Sequence, residues 1–362
     1  MARLIEPAIA RPVARRFAGT SAVAGSYLMD RLQRDLESAV PRSEELVAQA
    51  SGISAPPPVR WAMVDRAEWA EANIIGMGVM IQPLADRINH RLEAAPAPVR
   101  IAQRTLVSVE AGMLLGYVSR RVLGQYDVLV PDDAEPSAPR SRWRRRIAEG
   151  APLYFVGTNI VETERRLGFV PEDFALWVAV HEVTHRFQFA GVPWLKERFF
   201  GLVESYLGSI DLDARGLAGR LSTAARRMAS GALSPEERNP VYLLASEEQK
   251  RMLDGIQALM AVVEGHGNYV MDTVGAEVIP SFGRMRRVFE QRRAQTNLMQ
   301  RVFNNVIGLE MKLRQYELGQ RFCERVVAEG GPQALAQLWS DPQNFPTLEE
   351  LRDAPSWLRR VA

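Results

Sequence analysis

The chain holds a single cysteine, Cys323, among 362 residues. One cysteine excludes an internal disulfide and suits a reducing compartment. Histidine is nearly as scarce, at four. Neither sign of charge is in surplus: 45 Lys and Arg balance 43 Asp and Glu to leave +2. Nothing therefore drives the whole molecule towards nucleic acid or a membrane surface. Long apolar runs are missing as well. The longest apolar neighbourhood, Ile74 to Ile81, falls far short of the ~20 residues a bilayer span needs. The basic N-terminal residues are not followed by an apolar core and a small-residue cleavage site, so no export signal is read and the cytoplasm is the expected location. Repeats and long low-complexity tracts are absent. At 47% hydrophobic and 24% charged, the composition is that of a soluble protein with one large domain or two.

Against that scarcity, two of the four histidines fall in one turn of an expected helix, His181-Glu182-Val183-Thr184-His185. Positions four apart on a helix lie about 40° apart around the axis, so both imidazoles leave the same face. Two neutral imidazoles on one face make half of a tetrahedral zinc site. Glu182 leans towards the same ion without being well placed to bind it, which suits a general base for a metal-activated water. The flanks support a helix. Asp173 to Val180 is mostly apolar, Pro171 and Glu172 fit a first turn, and Gly191 and Pro193 provide a stop.

A zinc site of this kind needs a third ligand. His90 lies in the polar run Asp86 to Arg91 and reads as a solvated residue. A second region, Ala258 to Asp272, is an apolar helix with Glu264 in its middle, and a buried carboxylate is costly unless paired or metal-bound. Glu264, Asn268 and Asp272 recur every four residues as one polar stripe. Glu264 is expected to ligate the metal, with Asn268 accepting a hydrogen bond from a ligand imidazole. His266 lies about 200° from Glu264 around the axis and is not expected to ligate beside it. His266, Tyr269 and Tyr316 are candidates to stabilise an oxyanion. Gly265 and Gly267, unfavourable in a helix by about 1 kcal/mol each, suggest close approach to the histidine helix.

His181-Glu182-Val183-Thr184-His185-Arg186-Phe187-Gln188-Phe189, with Gly191 to Leu195 after it, resembles a bacterial family of zinc-dependent metalloproteases. Members of that family are also labelled as proteins associated with the biosynthesis of a deazaflavin coenzyme. Val122 to Asp127, Glu264-Gly265-His266, Val270-Met271-Asp272 and Lys312 to Glu317 extend the resemblance over most of the chain. It implies a zincin-like fold and a hydrolase, with His181 and His185 as zinc ligands and Glu182 as base. No residue argues for a deazaflavin pocket.

Elsewhere helical signals dominate. Tyr27 to Val40 and Ser43 to Ala50 read as helices broken at Pro41, followed by a Pro-rich linker from Gly52 to Pro58. Arg60 to Ala85 and Ile101 towards Leu123 also read as helical. Pro131 to Gly150 is a loop in which Arg140 to Arg146 form a basic cluster, more simply a solvated run than a binding site. Pro152 to Gly157 is the clearest strand. Leu153 to Ile160 is either the edge strand that pairs with an extended substrate in such peptidases or a buried core strand. Leu202 to Lys250 is a helical insert expected to wall the cleft. Helices from Ser281 to Arg293 and from Leu298 to Gly330 follow, and the tail with Pro342, Pro346 and Pro355 reads as loosely docked.

The expected architecture is α+β and predominantly helical, a zincin-like fold with a small edge sheet. An extra N-terminal helical region spans 1–150 and the metal-binding region 151–362, the two being separable or integrated. The expected ligands are His181, His185 and Glu264, the cofactor zinc, and the substrate a peptide or amide, without nucleic acid or membrane as partner. A zinc amidase or esterase acting on a small molecule would use the same residues. A metal-stabilised interaction protein is disfavoured by Glu182, since a structural site has no use for a base.

Overall fold

The computed structural model describes residues 3–58, 60–92, 95–129, 152–210, 242, 245–294 and 309–362. The basic cluster from Arg140 to Arg146 and most of the insert from Leu202 to Lys250 lie outside them. The fold is α+β and predominantly helical, with one small sheet. Among the described residues no helix is long and apolar enough to cross a membrane. The chain divides into two compact units, residues 1–196 with 270–288, and residues 197–269 with 289–362.

The first unit begins with α1 (Pro7–Ala18) and α2 (Tyr27–Ala50). The break expected at Pro41 does not occur, and α2 runs through it. The buried stripe Leu28, Leu32, Leu36, Val40, Ser43 and Val47 keeps helical spacing across the proline, while Pro41 itself faces solvent. Packing of one face thus overrides a local breaker. The expected helix from Arg60 is also corrected at its start. Trp61–Val64 forms β1, and Asp65 then opens α3 (Arg66–Met80) with a reciprocal capping box to Glu68. The helices α4 (Gln82–Leu92) and α5 (Ala97–Val118) follow. Ala10 and Ala14 of α1 lie against Gly112 and Gly116 of α5.

Three short strands make the sheet: β1, β2 (Gly124–Tyr126) and β3 (Leu153–Val156), in the order β1-β3-β2. The strand β3 pairs parallel with β1 and antiparallel with β2, and all four of its residues are buried. It is therefore the central strand, and the edge role raised for Leu153 to Ile160 is overturned. Its latter half belongs to the next helix, α6 (Gly157–Leu167). Alternation sends Tyr154 and Val156 into a core with α1, α3 and α5, alongside Ala62 and Val64 of β1. The histidine helix, α7 (Pro171–Gly191), packs against β2, β3 and α2.

Two polar devices hold this unit together. Arg186, fully buried in α7, pairs with Glu44 of α2 and donates to the carbonyl of Pro57 at 2.8 Å, seating the Pro-rich linker on the histidine helix. Asn159 of α6 donates to the carbonyls of Ser119 and Val122 at 2.7 and 2.5 Å and accepts from Arg66 Nε at 2.6 Å. Arg66 in turn pairs with Glu162 at 2.5 Å.

In the second unit, most of α8 (Pro193–Ser209) is followed by the body of α9 (Glu247–Val278), whose last residues belong to the first unit, as do those opening α10 (Phe282–Ala294). The helix α11 (Leu309–Ser340) bends at Gly331, where φ is 77° and Pro332 follows, so its first half ends where the sequence reading ended it. Gly265 of α9 and Gly319 of α11 meet backbone to backbone, leaving no room for a Cβ on either. The tail is firmly docked, not loosely. Trp357 of α12 (Ala354–Val361) is fully buried, edge-on to Phe322 at 5.3 Å, and its indole N–H donates to Asn344 O at 2.6 Å.

Candidate metal centre

His181, Glu182 and His185 lie in the second half of α7, a helix that is apolar around most of its circumference and therefore buried. The two rings meet edge to face with centroids 4.5 Å apart, and their Nε2 atoms stand 3.0 Å from each other. Nδ1 of His185 lies 2.9 Å from Gln188 Oε1. A carboxamide oxygen can only accept, so Nδ1 carries the proton and Nε2 presents its lone pair. Both histidines are partly accessible, while Glu182 is buried.

Glu264 joins them. One ligand atom from each of His181, His185 and Glu264 lies within 4.8 Å of the others. Two imidazole nitrogens and one carboxylate oxygen are the donor set of a catalytic zinc site with a coordination position left open. The residues fit the ion, because a cation between converging acceptors is the simplest reason for placing them there. The backbone contact between Gly265 and Gly319 fixes α9 beside α11 next to Glu264. It also corrects the reason given for Gly265: the helix it admits is α11.

The other expected residues are placed as follows. His266 is fully buried with its ring 4.9 Å from that of Trp339. Asn268 is buried and Tyr269 half-buried. The imidazole N–H of His185 has Gln188 as its acceptor, the part expected of Asn268 for one ligand. Asp272, at the end of the polar stripe, pairs with Arg286 at 3.7 Å. His90 is exposed on α4. The side chain of Tyr316 lies outside the described residues.

Two residues in contact with the motif were given no role by the sequence reading. Gln188 sits three positions after His185, the spacing of helix-face neighbours, and that was its signal. Gly124 of β2 lies against the carboxylate of Glu182: a methyl at Gly124 would stand 2.5 Å from Glu182 Cγ and 2.8 Å from Oε1. Glycine inside a strand often marks such a close approach. At the far end of β2, Asp127 is buried, and burial holds its carboxyl above the usual range despite a hydrogen bond from Leu129 N–H. Burial first, and the charge of Asp127 second, push the Tyr154 phenol up.

Among the described residues, β2 is an edge of the sheet. Val156 N–H donates to Leu123 O at 2.8 Å, and Asp127 N–H donates to Pro152 O at 2.6 Å. Antiparallel ladders alternate bonded and non-bonded pairs, so the main-chain groups of Gly124 and Tyr126 turn away from β3.

Comparison with known proteins gives the family. The model of the zincin-like metallopeptidases matches residues 5–358, and the chain belongs to that family, a hydrolase class. The chain is also similar to a protein from Chloroflexus aurantiacus whose crystal structure is described as that of a candidate hydrolase with a novel fold. The two are 31% identical with a TM-score of 0.65, over 99% of this chain and 98% of the other. No curated protein matches.

Proposed function

We propose that this protein is a zinc-dependent peptidase in which His181, His185 and Glu264 hold the ion and Glu182 is the general base. The observation that carries the reading is the convergence of those three donors around the histidine helix whose next residue, Glu182, is a buried carboxylate set against an edge strand. A zinc ion held there would polarise the scissile carbonyl and make an attacking water more acidic.

The chain's own residues supply the remaining steps. Glu182 takes the water's proton as the carbonyl is attacked and passes it to the leaving nitrogen, so it must reach both sides of the scissile bond. Gln188 holds the His185 ring in the tautomer that offers Nε2. Main-chain groups of Gly124 turn away from β3, where an extended peptide can add as a further strand with little demand on side chains. That edge favours a peptide over a small amide, which would use the same four residues. Cleavage inside the cell is the setting that fits a chain with one buried cysteine.

Zinc-loaded protein assayed against a peptide library tests the proposal. Cleavage is expected, and Glu182→Gln should retain about one zinc per chain while turnover falls on the order of 10²-fold or more. Undiminished turnover in that variant, or loss of its zinc, would overturn the role given to Glu182.

A further inference from the structure

We infer that Gly124 is a positioning residue for Glu182, kept as glycine for the space it leaves. The inference rests on the peptidase reading for its meaning, but not for its geometry. Glycine weakens a strand by about 0.5–1 kcal/mol relative to alanine, and Gly124 does not use glycine's conformational freedom. Among the described residues, the glycines with positive φ are Gly19, Gly25, Gly52, Gly168 and Gly331. What Gly124 provides is a notch. The Cγ, Cδ and Oε1 atoms of Glu182 occupy the volume a Cβ would fill, at 2.5, 2.7 and 2.8 Å from it.

The walls of the notch are firm. The strand is tied to β3 on either side of Gly124, through Leu123 O and Asp127 N–H. Its approach is tied by Asn159, whose carboxamide donates to both Ser119 O and Val122 O. Asn159 is itself 2% exposed and held by Arg66. On the other side, α7 is packed along α2 and anchored through Arg186 and Glu44. The atoms of Glu182 that a methyl would meet belong to a side chain, with rotamers to move between, whereas the walls are main chain. A methyl at position 124 would therefore move the base and leave the strand, the helix and the two imidazoles in place.

A double-mutant cycle on thermal unfolding reads this contact without metal or turnover. Gly124→Ala should lower Tm in the wild-type background and should not lower it in the Glu182→Ala background, where the notch is empty. The same Tm change in both backgrounds would overturn the inference. If Gly124→Ala fails to fold, recovery of folding in the double variant supports the inference and failure of both overturns it. A crystal structure of Gly124→Ala should show the Glu182 side chain swung aside with the His181–His185 spacing kept; a shifted β2 with Glu182 unmoved would overturn it. In the zinc-loaded protein, kcat for Gly124→Ala should fall on the order of 10²-fold with KM and zinc content retained. A wild-type protein that cleaves nothing would sink the peptidase reading, while the Tm coupling would still decide the contact.

Discussion

Nδ1 of His185 donates to Gln188 Oε1 over 2.9 Å, so one carboxamide decides which ring nitrogen of His185 is available to a cation. The acceptor is neutral and comes from the same helix, one turn on. This contact on the ring is thus made within one helix.

Zinc affinity should report this directly. His185→Ala is expected to lose most of the metal, and Gln188→Ala to weaken it by about 10–100-fold while keeping the fold. Competition with a chromophoric chelator measures both. Equal affinity in Gln188→Ala and wild type would mean the ring needs no such guide.

Glu264 and His266 are two residues apart and should behave oppositely. Glu264→Ala removes a donor from the convergent set and should weaken zinc binding severely. His266→Ala should spare the zinc and cost stability, on the order of 2–4 kcal/mol as for other large-to-small core changes, because its buried ring packs on Trp339. Metal content and chemical denaturation of the two variants separate these outcomes. Zinc loss in His266→Ala alone would reverse the assignment.

Asp127 should make stability depend on pH. Burial raises its folded-state pKa above the unfolded value. Its contribution thus favours folding at acid pH and is lost as pH climbs through the raised pKa, leaving a buried ionised carboxylate as a cost at neutral pH. Asp127→Asn keeps an acceptor for Leu129 N–H and should raise Tm at pH 7, with the gap closing towards the ordinary aspartate pKa of about 3.9. A gap that widens towards acid would show the opposite sign.

Gly319→Ala should be among the most damaging single-methyl changes in the chain. Its Cβ would meet the backbone of Ala261, which cannot rotate aside, so the loss should reach or exceed the upper end of the ~1–3 kcal/mol seen for overpacking. Gly201→Ala, with nothing near its Cβ among the described residues and a helical backbone, should instead be neutral or gain up to about 1 kcal/mol. Denaturant midpoints compare the pair, and equal effects would refute the backbone contact.

The parts of the site legible in the sequence are those whose logic is local. His181 and His185 share a face through helical spacing alone, and Glu264 stands out as a carboxylate in an apolar helix. What stayed hidden depends on partners remote in sequence. Gly265 was evidently a close-approach residue, yet nothing local names Gly319 as its neighbour. The strand β2 is three residues long, too short to show a period of two, so the edge passed to the more hydrophobic β3. The burial of β3 on both sides is what made it prominent, and also what makes it central. The start of β1 was readable in retrospect, because Asp65 and Glu68 form a capping box that forbids the helix from beginning earlier. Pro41 misled in the other direction, since a breaker on the solvent face yields to a continuous buried stripe.

Arg186 carries a consequence for anyone wishing to isolate the motif. The residue directly after His185 buries a guanidinium whose counter-charge and carbonyl acceptors are Glu44, Pro56 and Pro57. A fragment beginning at residue 151 would keep both imidazoles and strand a positive charge in its own interior, an error of several kcal/mol for a buried ion without its partner. The N-terminal helices are thus no dispensable appendage to a catalytic half. Minimal versions of this protein must be trimmed from somewhere else.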